Sequence, residues 1–165
     1  DGLLALARVE SGTAQLADQD VSRAVRERTA AWEPVFRDAG LELTATAAPD
    51  GLAARALPDA VGRFLDAVLD NATKFLPPGC RVEVRAAPRG DEVSVRVCDD
   101  GPGVSEEQLP LLLRRFARAS EHQNVPGSGL GLAIADEIAR LSGGRLNAVR
   151  NLPHGLVLEL TLPAL

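Results

Sequence analysis

Apolar residues recur at i, i+3, i+4, i+7, i+8 and i+11 from Val61 through Phe64, Leu65, Val68 and Leu69 to Ala72. That stripe predicts an amphipathic helix opened by Pro58 and Asp59 and closed by Pro77-Pro78-Gly79. Val21, Ala24, Val25, Trp32, Val35, Phe36 and Ala39 follow the same spacing up to Gly40. Pro34 lies inside this second helix and predicts a bend, because proline removes one backbone bond. Leu130, Ile134, Ile138 and Leu141 mark a third helix closed by Gly143-Gly144, and Glu106 to Ala119 reads as helical in part. Leu3 to Glu10 is a short apolar helical piece stopped at Ser11-Gly12.

Between these segments the period drops to two. Strands are predicted at 15–20, 41–47 and 52–57, at Val82, Val84 and Ala86, at Val93, Val95 and Val97, at Leu146 and Ala148, and at Leu156, Leu158, Leu160 and Leu162. Pro49-Asp50-Gly51 and Pro88 to Asp91 supply turn chemistry, so the strands read as hairpin-like pairs separated by single helices. The pattern predicts an α+β fold: a two-layer sandwich of a mainly antiparallel mixed sheet with about three helices on one face.

Length allows one domain with a short appendage, and 165 residues are enough for a sizeable core. With 18 basic and 23 acidic residues the net charge of -5 argues against a nucleic-acid surface, which needs a basic stripe. Cys80 and Cys98 lack metal or paired-thiol spacing and read as reduced thiols of a cytoplasmic setting. No apolar run approaches the roughly 20 residues that span a bilayer. The chain has no methionine and opens inside a helical pattern, so the expectation is a fragment of a longer protein.

The candidate chemistry gathers in three places. The valine strand delivers Asp99 to its end, followed by Asp100-Gly101-Pro102-Gly103, where glycines let the backbone turn and approach a ligand. Asn71, Lys74 and Phe75 share one face of the long helix, offering a carboxamide, a cation and a ring. Gly127-Ser128-Gly129-Leu130-Gly131-Leu132 enters the third helix, where free N–H groups at a positive end suit phosphate oxygens. The glycine patterns of P-loop and Rossmann proteins are missing.

Taken in order, Asn71 with Lys74-Phe75, Asp99 to Gly103, Phe116, and Gly127 to Leu132 resemble the N, G1, F and G2 boxes of sensor histidine kinases. The resemblance covers roughly residues 16–165 and implies a Bergerat-type ATP site. It implies that Asp99 accepts a bond from the adenine amino group, that Asn71 coordinates Mg²⁺, that Lys74 approaches the phosphates, and that Phe75 packs on the base. Gly101, Gly103, Gly127, Ser128, Gly129, Leu130, Gly131 and Leu132 would complete the nucleotide site. Residues of about 104–128 would form the ATP lid, anchored by Phe116, with Arg115 and Arg118 reaching for the γ-phosphate or a partner domain. Residues 1–15 resemble the tail of a dimerisation helix with its linker, and 16–165 the catalytic domain. By the same resemblance the partners are the chain's own dimerisation domain, which bears the acceptor histidine, and a response regulator. Nucleic acid is not among them. The fragment is expected to be a soluble, monomeric cytoplasmic domain of a homodimeric protein anchored in the cell membrane. His122 and His154 do not match the acceptor position, so the fragment should bind ATP without phosphorylating itself.

Three positions depart from the family pattern. Ala67 stands where a polar residue is usual one turn before Asn71, Leu113 replaces an aromatic of the F box, and Leu156 replaces a threonine near the adenine. Two alternatives stay open: an anti-sigma-factor-type serine kinase, and a degenerate nucleotide- or protein-binding module without transfer activity.

Overall fold

A computed structural model describes residues 15–46, 50–109 and 130–165. Along the chain these form β1 (Ala17–Asp20), α1 (Val21–Asp38), β2 (Glu42–Ala45), β3 (Ala53–Ala56), α2 (Ala60–Phe75), β4 (Arg81–Arg89), β5 (Glu92–Asp99), α3 (Leu130–Leu141), β6 (Arg145–Arg150) and β7 (Leu156–Pro163). Five strands make one sheet in the order β2-β4-β5-β7-β6, and β1 pairs with β3 in a second, two-stranded sheet. Every contact in the larger sheet is antiparallel except β2 with β4. The α+β sandwich expected from the pattern is the fold found, with the three described helices packed against the sheet.

The hairpin expected across Pro49-Asp50-Gly51 does not form. β2 runs parallel to β4, with Leu43 opposite Val82, while β3 turns away to pair antiparallel with β1, Ala54 opposite Gln19. The physical reason is burial: β3 hides Ala54 and Ala56, and β2 hides Leu43, against different parts of one core. Period two sets which face a strand buries, not which neighbour it takes.

The apolar stripe of α2 does what its spacing predicts: Val61, Phe64, Leu65, Val68 and Leu69 are all buried. Facing them are Val82, Val84, Val95 and Val97 of the central strands and Leu158, Leu160 and Leu162 of β7. At roughly 1.5–3 kcal/mol for each large side chain removed from water, this layer dominates the stability of the fold. α1 runs through Pro34 without interruption and adds Val21, Val25 and Phe36 to the same core.

The start of α2 is unusual. Asp59 occupies the N-cap position in the left-handed region (φ +58°), and its side chain does not cap the helix. It binds Arg28 Nη2 at 2.7 Å instead, and Arg28 also pairs with Asp66. Trp32 donates its indole N–H to Asp66 at 2.9 Å, so one cluster of polar groups ties α1 to α2. Gly62 leaves room for it, since a Cβ there would stand 2.3 Å from Asp59 Oδ1.

Candidate functional site

Asp99 closes β5 opposite Val82, one residue past the end of the ladder with β7, which stops at Cys98 and Val157. Its Oδ1 accepts the backbone N–H of Gly101 at 2.9 Å and of Leu156 at 3.2 Å. Among the described residues nothing hydrogen-bonds Oδ2, so the carboxylate is held by one oxygen and offers the other. Burial pushes the Asp99 carboxyl above the usual aspartate range, and neighbouring Asp100 adds to the rise. The two N–H donors and His154 pull the other way without cancelling it. Two acidic residues in sequence have separate roles, because Asp100 turns back to accept Arg81 N–H at 2.6 Å.

The two glycines that follow are constrained differently. A Cβ on Gly101 would meet Leu76 Cδ2 at 2.5 Å, and one on Gly103, whose φ is +68°, would meet the Gly155 carbonyl oxygen at 2.6 Å. The tip of Leu76 can swing aside at the first place, but at the second a backbone carbonyl and a positive φ admit only glycine. After them Ser105 and Gln108 cap each other reciprocally, the Gln108 N–H on Ser105 Oγ at 3.2 Å and the Ser105 N–H on Gln108 Oε1 at 3.1 Å. Residues 106–108 form a turn and Leu109 is helical, while the rest of the stretch expected to be helical in part, 110–119, lies outside the described residues.

On α2, Asn71 is half-buried, and its carboxamide makes no hydrogen bond among the described residues. Lys74 pairs with Asp70 at 2.9 Å, both about half exposed. Phe75 is 69% exposed, an unusual state for a ring next to a full apolar stripe. Gly131, in the first turn of α3, comes close to α2: a Cβ there would lie 3.3 Å from that of Ala67. Ala67 therefore sits at the junction of α2 with α3, beside an open, shallow cleft of about 450 Å³ that Trp32, Asp66, Asp70 and Ile134 also line. Leu132 is 1% exposed and belongs to the core. Phe116, Arg115, Arg118, Leu113, Gly127, Ser128 and Gly129 lie outside the described residues, as do His122 and the helical piece at 3–10. Both cysteines are free, and burial raises each thiol above its ordinary range.

The pattern of the sequence did not single out Asn151 or Gly155, and it offered His154 only as a loop residue before the last strand. His154 does lie in that loop, where its Nδ1 stands 3.0 Å from the Gly101 carbonyl oxygen. Asn151 donates to the Asp99 carbonyl at 2.7 Å. The one available signal was composition: Asn151-Leu152-Pro153-His154-Gly155 is a turn-forming run between two strands.

Comparison with known proteins bears on this arrangement. The family model "Histidine kinase-, DNA gyrase B-, and HSP90-like ATPase" matches residues 56–165. The sensor histidine kinase component HK1 of Mycobacterium tuberculosis is 38% identical over 128 residues, 78% of this chain and 74% of that protein. The signal transduction histidine-protein kinase AfsQ2 of Streptomyces coelicolor is 35% identical over 164 residues, 99% of this chain but 30% of its own length. Among solved structures, the mycobacterial sensor histidine kinase MprB superposes with a TM-score of 0.70 at 28% identity, over 91% of this chain and 98% of that one.

Proposed function

The chain belongs to the histidine kinase-, DNA gyrase B- and HSP90-like ATPase family and is a catalytic ATP-binding domain of the sensor histidine kinase kind; from that premise we propose that it holds Mg-ATP at the end of β5 and presents the γ-phosphate to a histidine on a dimerisation domain. The observation that carries this reading is Asp99, half-buried, oriented through Oδ1 and with Oδ2 left to accept among the described residues. An adenine amino group would satisfy that oxygen with a charge-assisted bond. Guanine presents a carbonyl at the same position, so two acceptors would face each other.

The other roles follow from what each side chain has free. Phe75 offers an exposed ring to the base. Lys74 gives up little by leaving Asp70 for a phosphate, because an ion pair at the surface is worth at most about 1 kcal/mol. Asn71 fits Mg²⁺: its amide oxygen is a hard neutral ligand with no partner among the described residues, and this ion is held by few protein oxygens together with phosphates. When bound, the ion would neutralise charge on the phosphates. The first turn of α3, at Gly131, carries N–H groups that no carbonyl of its own helix can take up, at the positive end of the helix. Gly127, Ser128 and Gly129 with Leu130 would cradle phosphate there, Phe116 would anchor the lid, and Arg118 would reach the γ-phosphate. Catalysis then rests on holding the phosphoryl group in line with an imidazole nucleophile supplied by the other domain.

In the longer protein, residues 1–15 would continue the dimerisation helix, and residues 16–165 form the catalytic unit. That boundary is supported by β1 and α1, which pack into the core shared with the family-matched region. A response regulator would receive the phosphate downstream. Among the described residues no helix is long and apolar enough to cross a membrane.

The test is nucleotide choice followed by transfer. ADP should bind and GDP should not, by calorimetry on the same preparation. With ATP labelled at the γ-phosphate, label should appear only on an added histidine-bearing dimerisation domain, as an acid-labile adduct. Equal binding of ADP and GDP would refute the adenine role. Label on a serine of a protein partner would favour the serine kinase instead.

A further inference from the structure

We infer that the loop between β6 and β7 is a positioning element for the adenine-recognising carboxylate, with Asn151 and His154 as its positioning residues; the inference rests on the role proposed above for Asp99. Strand pairing alone does not hold that residue on the β7 side. The β5–β7 ladder ends at Cys98 and Val157, so Asp99 stands beyond it, and the loop supplies what the ladder no longer does.

Its contacts converge on one short segment. Asn151 Nδ2 donates to the Asp99 carbonyl at 2.7 Å, while Leu156 N–H donates to the Asp99 side chain at 3.2 Å. The main chain and the carboxylate of the same residue are thus fixed from the loop and from the first residue of β7 that follows it. Two residues on, His154 Nδ1 stands 3.0 Å from the Gly101 carbonyl, a contact the Nδ1–H tautomer satisfies by donating. Gly155 fills the space where a Cβ on Gly103 would go, at 2.6 Å.

The loop is also braced within itself. Asn151 N–H bonds the Gly155 carbonyl at 3.0 Å, and Asn151 Oδ1 accepts Leu152 N–H at 3.1 Å. Asn151 therefore spends its oxygen on the loop and its amide nitrogen on the site. His154 is largely exposed and Asn151 half-buried, so neither belongs to the core that holds the fold together. Their consequence should be felt at the direction of Asp99 Oδ2, which decides how well an amino group is recognised.

The experiment compares ADP with inosine diphosphate, which carries a carbonyl in place of the adenine amino group, by calorimetry on the full chain. Thermal midpoints are recorded alongside. Wild type should prefer ADP. In Asn151→Ala the ADP affinity should fall about tenfold, the size of one lost hydrogen bond near 1.4 kcal/mol, while inosine diphosphate changes little and the ratio narrows. His154→Ala should narrow the ratio less, and His154→Asn, whose Nδ2 can stand in for Nδ1–H, should restore it. A merely structural role would weaken both nucleotides equally and would not respond to the His154→Asn rescue, and that result overturns the inference. So does a wild-type preference that survives both alanine variants unchanged. A wild type with no preference for ADP would bring down the adenine role of Asp99 itself, and the positioning inference with it.

Discussion

Replacing Gly155 by alanine should be the most disruptive small change available near the site. Its φ is +116°, and an added Cβ would lie 1.9 Å from the Asp99 carbonyl oxygen. Carbon and carbonyl oxygen approach no closer than about 3.3 Å, so loop and strand end would have to part by roughly 1.4 Å. Three bonds cross or close that junction: Asn151 Nδ2 to Asp99 O, Leu156 N–H to Asp99 Oδ1, and Asn151 N–H to Gly155 O. At about 1 kcal/mol each, added to about 1–3 kcal/mol of backbone strain, the cost comes to about 4–6 kcal/mol. That is a large share of the about 5–15 kcal/mol holding a domain of this kind together. Gly90 provides the control, because its φ is also positive (+64°) but a Cβ there meets nothing within 4 Å. Gly90→Ala should therefore show only the roughly 1–2 kcal/mol of left-handed strain. Urea unfolding followed by circular dichroism measures both, and the difference isolates the contact with Asp99. Equal costs for the two variants would refute the reasoning.

The remaining predictions concern core, cap and titration. Phe64→Ala empties a fully buried site under α2 and should cost about 3–5 kcal/mol in the same urea assay. Gly62→Ala should come out near zero, since about 1 kcal/mol gained in helix propensity offsets the displaced Arg28–Asp59 pair. High salt should move that balance in favour of alanine, as checked by unfolding at two ionic strengths. ADP affinity should fall on acidification, beginning above the ordinary aspartate range, because burial raises the Asp99 carboxyl and binding needs its charged form. Stability should run the opposite way: an acid whose folded pKa is raised stabilises the fold while protonated and loses that contribution as pH rises through the folded value. Calorimetry across a pH series, with Asp99→Asn as the flat reference, measures the binding half of this statement.

Much of the architecture was legible because burial leaves a period. The α2 stripe from Val61 to Ala72 and the alternating valines of β5 each gave type, extent and buried face, and the order of strands and helices gave the sandwich. Partner choice was not legible: Leu43 and Ala54 announce buried faces, yet nothing local says that β2 lies parallel to β4 while β3 joins β1. Asp59 shows the same limit, since Pro58-Asp59 reads as a helix cap and the carboxylate goes to Arg28, 31 residues earlier. At the site, Asp99 and its glycines stood out because strand end, turn and acid coincide there. Asn151 and His154 left no period, for they act through backbone atoms of residues 52 and 53 positions away.

The central claim is tested most directly by titrating ADP into wild type and into Asp99→Asn. The asparagine keeps an Oδ1 for the Gly101 and Leu156 N–H groups and sheds a half-buried charge, so the fold should melt no earlier than wild type. Its amide nitrogen would face the adenine amino group, donor against donor. Loss of a charge-assisted bond of about 1.5–3 kcal/mol predicts affinity lower by roughly 10- to 150-fold. Wild type that does not bind ADP, or a variant that binds it as well as wild type, would contradict the account.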